Sequence, residues 1–187
     1  LVVLLAIFTP AFLQPSNLVN VARQASYFGI MAVGMVFVLS MGDVDLSVGS
    51  IMALVNVAGA VMLRDGMPPW AMIPCALAIG ALAGAVNGSL ALSLRIPMII
   101  VTLGTLSIYR GLALVISQAS PVSQFNKDNW FFDVLGGPIL GLPASVWVML
   151  AAGLVGYIIY NRTAFGRRVQ AIGSNLQAAK YSGIRVN

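Results

Sequence analysis

Apolar residues in this chain run in long blocks separated by short polar stretches, rather than recurring along one helical face or at alternate positions. The predominantly apolar blocks 26–42, 48–63, 71–94, 97–118 and 143–160 read as membrane-spanning helices, the shortest of them below the roughly 20 residues that cross a hydrocarbon layer of about 30 Å. An opening block, 1–13, has the same character, but at ~1.5 Å per residue it covers only about 20 Å. The chain therefore reads as a fragment beginning inside a span. A signal peptide would need a basic leading region and a small-residue cleavage site, and neither is present. Between the blocks, "RDGMPPW" carries Asp-Gly and Pro-Pro turn signals, and 119–142, with Asp128 and Asp133, is polar and rich in glycine and proline. The expected architecture is all-α: a polytopic transmembrane helical bundle of about six spans, forming a single membrane domain over 1–187 with further spans after it.

Composition strengthens this reading. The chain is 59% hydrophobic and 8% charged, with a mean hydropathy of +0.95, so its natural solvent is lipid. The net charge of +5 is unevenly placed. Basic and acidic side chains cancel over residues 1–160, and the surplus is Arg162, Arg167, Arg168, Lys180 and Arg185 in the tail. By the positive-inside rule the tail is cytoplasmic, which makes 119–142 an external loop, puts Asp43 and Asp45 on the cytoplasmic side, and suits a multi-pass membrane protein. A basic tail could also bind nucleic acid, but charges beside an apolar span read as an orientation signal, so the expected partner is membrane lipid and not nucleic acid. There is no histidine, and the lone Cys75 sits in the apolar run "IPCALAI". Histidine metal sites, Ser/His/Asp catalysis and an internal disulfide are thus excluded within the chain. No catalytic or metal residues are assigned and no enzyme is expected.

The stretch "MGDVDLSVGS" holds two of the five acidic residues. An ionised carboxylate at the bilayer centre costs about 2.5 to 3.5 kcal/mol on insertion scales, so Asp43 and Asp45 need an interface, a watered cavity or partners. Two readings stay open. In one, Asp45 and Ser47 accept hydrogen bonds from the free N–H groups of the helix that follows. In the other, residues 26–63 form a broken helix pair, hinged at Gly42 and Gly49, whose polar backbone and Asp45 line a water-filled pathway. Asn56 and Asn87 fall at membrane depth and are candidates for the same pathway. Serines and threonines there, including Thr102 and Thr105, can return their hydroxyls to their own helix. Arg110 is placed to snorkel to the outer interface. Ala76, Gly80, Gly84 and Gly88 repeat a small residue every fourth position and predict close helix packing. A proton-coupled secondary transporter titrating Asp43 or Asp45 is the alternative function. An intramembrane enzyme holding metal on the same pair would have too few ligands.

In the tail, Ser174 and Gln177 have capping-box spacing, "NLQAAKYS" reads as a short helix, and Gly183 followed by Ile184 supplies a left-handed cap. Such a helix outside the membrane is a surface anchor or a docking element.

The segments "GDVDLSVGS", "PMIIVTLGTLSIYRGLAL" and "TAFGRRVQAIGSNLQAAKYSGI", in this order, resemble the membrane permease subunits of bacterial ABC importers for monosaccharides of the ribose, xylose and galactoside type. The likeness runs through almost the whole chain. Gln177, Ala178, Ala179 and Gly183 resemble the Glu-Ala-Ala-x-x-x-Gly loop that engages the ATPase, with Gln177 standing where the pattern has Glu. The resemblance implies a permease subunit that moves a monosaccharide across the inner membrane. It works with a second permease subunit in a homodimer, a periplasmic sugar-binding protein and a cytoplasmic ATP-binding subunit. The ATP-binding subunit uses the ATP, so this chain itself needs no cofactor. Ser174, Gln177, Ala178, Ala179 and Gly183 would couple to that subunit.

Orientation is directly testable: single cysteines within 120–135 of the full-length protein should react with an impermeant maleimide added outside intact cells, and single cysteines within 165–185 should not. Reversed labelling would overturn the topology.

Overall fold

The computed structural model describes residues 2–9, 11–123 and 130–184. Along them run α1 (Val2–Phe8), α2 (Pro15–Ser40), α3 (Val48–Arg64), α4 (Pro69–Leu94), α5 (Met98–Ile116), α6 (Trp130–Gly136), the two-residue strands β1 (Pro138–Ile139) and β2 (Leu142–Pro143), α7 (Ala144–Arg162), α8 (Ala164–Ser174) and α9 (Leu176–Tyr181). Four of these, α2, α4, α5 and α7, are long and apolar enough to cross a membrane, and α3 is a shorter apolar helix of 17 residues. The polytopic all-α class is as the hydropathy blocks predict.

Several boundaries differ, each for a local reason. The block 1–13 gives only the seven-residue α1, about 10 Å long, because a turn around residues 11–13 interrupts it. The second helix starts at Pro15 rather than 26. Proline at a first helical position loses no hydrogen bond, and the polar residues Asn17, Asn20, Arg23 and Gln24 simply extend the helix. The loop expected over 119–142 contains α6 and a β1–β2 hairpin, which pairs Pro138 with Pro143 and Ile139 with Leu142. Asp133 lies on α6, whereas Asp128 falls outside the described residues. At its other end α2 is closed by Gly42 with φ 85°. The Gly42 N–H donates to the Leu39 carbonyl and the Asp43 N–H to the Val38 carbonyl, the paired bonds of a Schellman cap that need a left-handed residue at this position.

The described residues form two compact units. In the unit formed by 2–37 and 130–169, α2 packs on α7 through small residues. The Ser26 hydroxyl donates to the Arg23 carbonyl (2.7 Å) and lies 2.8 Å from the Ser145 hydroxyl. Gly156 gives its space to Val33, and the rings of Phe37 and Tyr160 meet edge-on at 5.7 Å. Trp147 donates its indole N–H to the Ile139 carbonyl of the hairpin (2.9 Å).

In the unit formed by 38–123 and 170–184, α3 packs against both α4 and α5. Leu54, Ala83, Tyr109 and Ala113 are its buried cluster, flanked by Ile51, Val57 and Ile79. The small-residue repeat of α4 contributes less than its spacing predicts. A Cβ at Gly80 would touch Val55 at 3.7 Å, but one at Gly84 or Gly88 would meet nothing within 4 Å. The packed face of α4 instead carries Met72, Ala83 and Asn87. The closest approach within this unit is at the tail, where a Cβ on Gly173 would collide with the backbone carbonyl of Ser40.

Gly173→Ala should therefore lower the melting temperature of the detergent-purified protein by several degrees, since only backbone could yield. Gly84→Ala should be neutral or slightly stabilising, because a helix interior favours alanine by about 1 kcal/mol. Equal behaviour of the two variants would contradict the close contact.

Candidate functional site

The seven residues between α2 and α3 are not helical, and they carry the acidic motif into the packed interior of their unit. The Asp45 carboxylate turns back on its own chain: Oδ1 accepts the Ser47 N–H (2.8 Å) and the Ser47 hydroxyl proton (2.6 Å). Ser47 occupies the N-cap of α3, yet its side chain makes no cap bond. This corrects the expectation that Asp45 and Ser47 receive N–H groups of the helix. Asp45 orders the cap residue itself, and the negative charge still stands at the positive end of α3.

Ser47 Oγ, having given its proton to Asp45, accepts a bond from Asn87 Nδ2 on α4 (2.7 Å), and Asn87 Nδ2 also lies 3.5 Å from Asp45 Oδ2. The Tyr109 hydroxyl on α5 offers its single proton to two acceptors, Asn87 Oδ1 at 3.1 Å and the Ala83 carbonyl at 3.0 Å. Alongside, the Leu46 N–H donates to Thr102 Oγ1 (3.2 Å), and the Ser50 hydroxyl to the Ser47 carbonyl (2.8 Å). Asn87, Ser47 and Thr102 are all 0% exposed. Among the described residues the ion pair is Arg64 with Asp65 at 2.9 Å, on the surface. Asp45 is thus balanced by neutral donors, each worth about 1.5 to 3 kcal/mol when the acceptor is charged, against the insertion cost of about 2.5 to 3.5 kcal/mol.

The depth of this network follows from its partners. Asn87 lies two turns before the end of α4 at Leu94, about 10 Å along the axis, and Thr102 lies one turn into α5, about 6 Å. Asp45 to Ser47 therefore lie alongside the last two turns of α4 and the first turn of α5 rather than beyond the helix ends. Met41, Gly42, Asp43 and Leu46 remain exposed at that end.

Of the candidates on the spans, Asp45, Ser47 and Asn87 are brought together. Asp43 and Asn56 are not: Asp43 is exposed in the connecting segment, and Asn56 is exposed on the face of α3 opposite Ser47, Leu54 and Ala58, in one stripe with Gly49 and Met52. Tyr109 escaped the sequence reading. Its signal is the polar face Thr102, Thr105, Tyr109 at helical spacing on α5. The Thr105 hydroxyl on this face is buried with no partner among the described residues.

A second candidate region is the tail. Thr163, extended at φ −104°, accepts the Gly166 N–H at its hydroxyl (3.2 Å) and so caps α8, a helix the sequence reading missed. Ser174 is the last residue of α8, so the capping box expected between Ser174 and Gln177 does not form. Asn175 is the N-cap instead, its Oδ1 accepting the N–H groups of Gln177 and Ala178, each at 3.0 Å. That start, one residue later, puts Gln177 at the second helical position, where it cannot reach back as a capping box requires. The C-terminal cap matches expectation: Gly183 has φ 79°, its N–H donates to the Lys180 carbonyl, and the Ile184 N–H to the Ala179 carbonyl. Ala179 is buried, while Leu176, Gln177, Ala178 and Tyr181 are exposed.

A hydrogen-bonded acidic motif between helices, and a separately capped helix beyond the last long span, are the features on which comparison with known proteins bears. The family model described as the permease component of branched-chain amino acid transport systems matches residues 17–187. The chain belongs to this permease family. It is a multi-pass protein of the inner membrane. It is 34% identical over 189 residues to the ribose import permease protein RbsC of Haemophilus influenzae and 38% identical over 187 residues to that of Bacillus subtilis, in each case covering 100% of this chain and 58% of the relative. It is 37% identical over 181 residues to the L-arabinose transport system permease protein AraH of Escherichia coli, covering 97% of this chain and 55% of that one. The chain thus spans somewhat more than half the length of these relatives. No solved structure matches it.

The network predicts an asymmetric response at Asp45. Asp45→Asn keeps an oxygen for Ser47 and should be recovered at near-normal folded yield. Asp45→Leu strands the Ser47 and Asn87 donors, at a cost of about 1 to 3 kcal/mol for each buried unsatisfied group, and should lose most monodisperse protein on size exclusion. Equal yields would show that the bonds do not hold α3 in place.

Proposed function

We propose that the chain is part of the permease subunit of an ATP-driven ABC importer that carries a monosaccharide across the inner membrane. The observation that carries the reading is α9, a helix of its own outside the spans. It is capped at both ends and presents Leu176 (42% exposed) and Tyr181 (88% exposed) on the side bearing the basic charge. An exposed apolar pair on a rigid, separately capped helix suits a protein partner. In this reading Gln177, Ala178, Ala179 and Gly183 belong to the element that docks on a cytoplasmic ATP-binding subunit, and Asn175, rather than Ser174, fixes its start. A sugar-binding protein delivers the substrate outside, a second permease subunit completes the pathway as a homodimer, and 1–187 is one membrane domain of the longer protein. ATP is consumed by the partner, so the chain acts as a transporter rather than an enzyme and holds no cofactor. The relatives' names support the sugar assignment, since RbsC and AraH are named for ribose and arabinose transport.

The translocation pathway, in the same reading, passes the exposed non-helical residues Met41, Gly42, Asp43 and Leu46 and the Gly49, Met52 and Asn56 stripe of α3. Irregular backbone within a leaflet is tolerated only where protein buries it or water reaches it, and Asn56 would be costly against lipid. Asp45, Ser47 and Asn87 then hold the wall of the pathway in position.

Gly183→Asp tests the docking assignment. A Cβ at Gly183 meets nothing within 4 Å, so the substitution costs the left-handed conformation alone, roughly 1 kcal/mol, and the membrane domain should stay inserted and folded. Co-purification of the ATP-binding subunit should fall, and sugar-stimulated ATP hydrolysis by the assembled complex should be abolished, with Lys180→Ala milder on both. Full ATPase binding and transport by Gly183→Asp would remove α9 as the docking element.

A further inference from the structure

We propose that the cleft between α2 and the cytoplasmic half of α7 is a binding site for an anionic phospholipid, with one acyl chain in the cleft and the phosphate held by Arg162, Arg167 and Arg168. The site lies entirely within the unit of residues 2–37 and 130–169 and does not depend on the transport reading. The cleft has a volume of about 210 Å³, and Val33, Val36, Phe37, Gly153 and Tyr157 line it, with Asn161 at one end. It exists because α7 places glycine at positions 153 and 156. Gly156 is filled by Val33 of α2, whereas a Cβ at Gly153 would meet nothing within 4 Å. An apolar cleft beside a span fits a chain of methylene groups.

Its cytoplasmic end is basic. The Phe165 ring at the start of α8 lies 6.0 Å from that of Phe37, which lines the cleft, and Gly166 sits tightly against the Tyr160 carbonyl. The first turn of α8 is therefore held at the Asn161 end of the cleft, and Arg162, Arg167 and Arg168 cluster about it. All three are exposed and have no carboxylate partner among the described residues. There is no acidic residue anywhere in α2, α7 or α8. An apolar channel ending in three unpaired guanidinium groups matches a diacyl lipid with a net negative headgroup. A free phosphate would use the arginines alone, and a zwitterionic lipid would gain little from them.

The test is lipid retention by the full-length permease extracted in mild detergent, read by native mass spectrometry during titration with phosphatidylglycerol or phosphatidylcholine. Phosphatidylglycerol should bind preferentially, more weakly at high salt, and glycerol phosphate should not displace it. Each arginine near an anionic headgroup is worth roughly a fivefold change in affinity, so Arg167→Ala with Arg168→Ala should weaken phosphatidylglycerol about 20- to 30-fold and leave phosphatidylcholine unchanged. The double lysine variant should retain most binding. Gly153→Leu, whose Cβ meets nothing within 4 Å and whose side chain extends into the cleft, should remove the preference while the melting temperature is kept. Equal retention of the two lipids overturns the proposal. So does phosphatidylglycerol binding that Gly153→Leu leaves intact, the result expected if a helix of a second copy or of the remaining chain fills the cleft.

Discussion

One carboxylate, that of Asp45, is drawn between helices and met among the described residues by neutral donors, and the packing of α3, α4 and α5 answers to that requirement. In water, burial of Leu54 and Ala113 would itself hold these helices together. In lipid, tails are as apolar as leucine, so association relies on close packing and on polar groups that have nowhere else to go. Asp45 supplies the polar demand. Its bonds to Ser47 fix the first turn of α3, Ser47 turns its remaining acceptor capacity to Asn87 of α4, and Asn87 takes the Tyr109 proton from α5. Interhelical hydrogen bonds in membranes average only about 0.6 kcal/mol each, so no single link decides the arrangement. A chain of them, each leaving a buried group unsatisfied if the register slips, does.

The hydropathy blocks made the spans legible, because a bilayer demands a long apolar run and little else in the sequence can satisfy that demand. Ends were legible where chemistry is local. Gly183 after α9 announced a left-handed cap, and the polar run after α7 announced a departure from the membrane, whereas Gly42, read as a hinge, is the left-handed cap of α2. What stayed hidden was whatever depends on the partner across the gap. The stripe of Ala76, Gly80, Gly84 and Gly88 looks like a packing face, but α4 turns Met72, Ala83 and Asn87 inward instead. Tyr109 reads as one aromatic among many until Asn87 is set opposite it. Ser174 and Asn175 are both good N-caps, and only the extended backbone at Asn175 (φ −161°) decides between them.

The polar candidates divide by how they are satisfied. Asn87 spends both ends of its amide on neighbours and is sealed from solvent, so its chemistry is structural in the geometry at hand. Asn56 and Asp43 are exposed and are drawn into no such network. The sequence ranked these residues together because each interrupts an apolar run, which records the cost of a polar group in lipid but not the means by which that cost is met.

The contact between Gly173 and Ser40 joins the two candidate regions within one unit. Gly173 is the penultimate residue of α8, two before the Asn175 cap, and Ser40 is the last residue of α2, just ahead of Gly42 and Asp45. The approach is backbone to backbone, so no flexible side chain lies between them to absorb a displacement by changing rotamer. From Ser40 the chain reaches Ser47 in seven residues, and from there the hydrogen bonds reach α4 and α5. A push on α9 that moved the end of α8 by even an ångström would have to be taken up in segment 41–47. That segment is the only non-helical backbone between α2 and α3, and Met41, Gly42, Asp43 and Leu46 in it are exposed. The glycine at position 173 thus has a mechanical consequence beyond fit: it makes the tail and the acidic motif neighbours through rigid atoms.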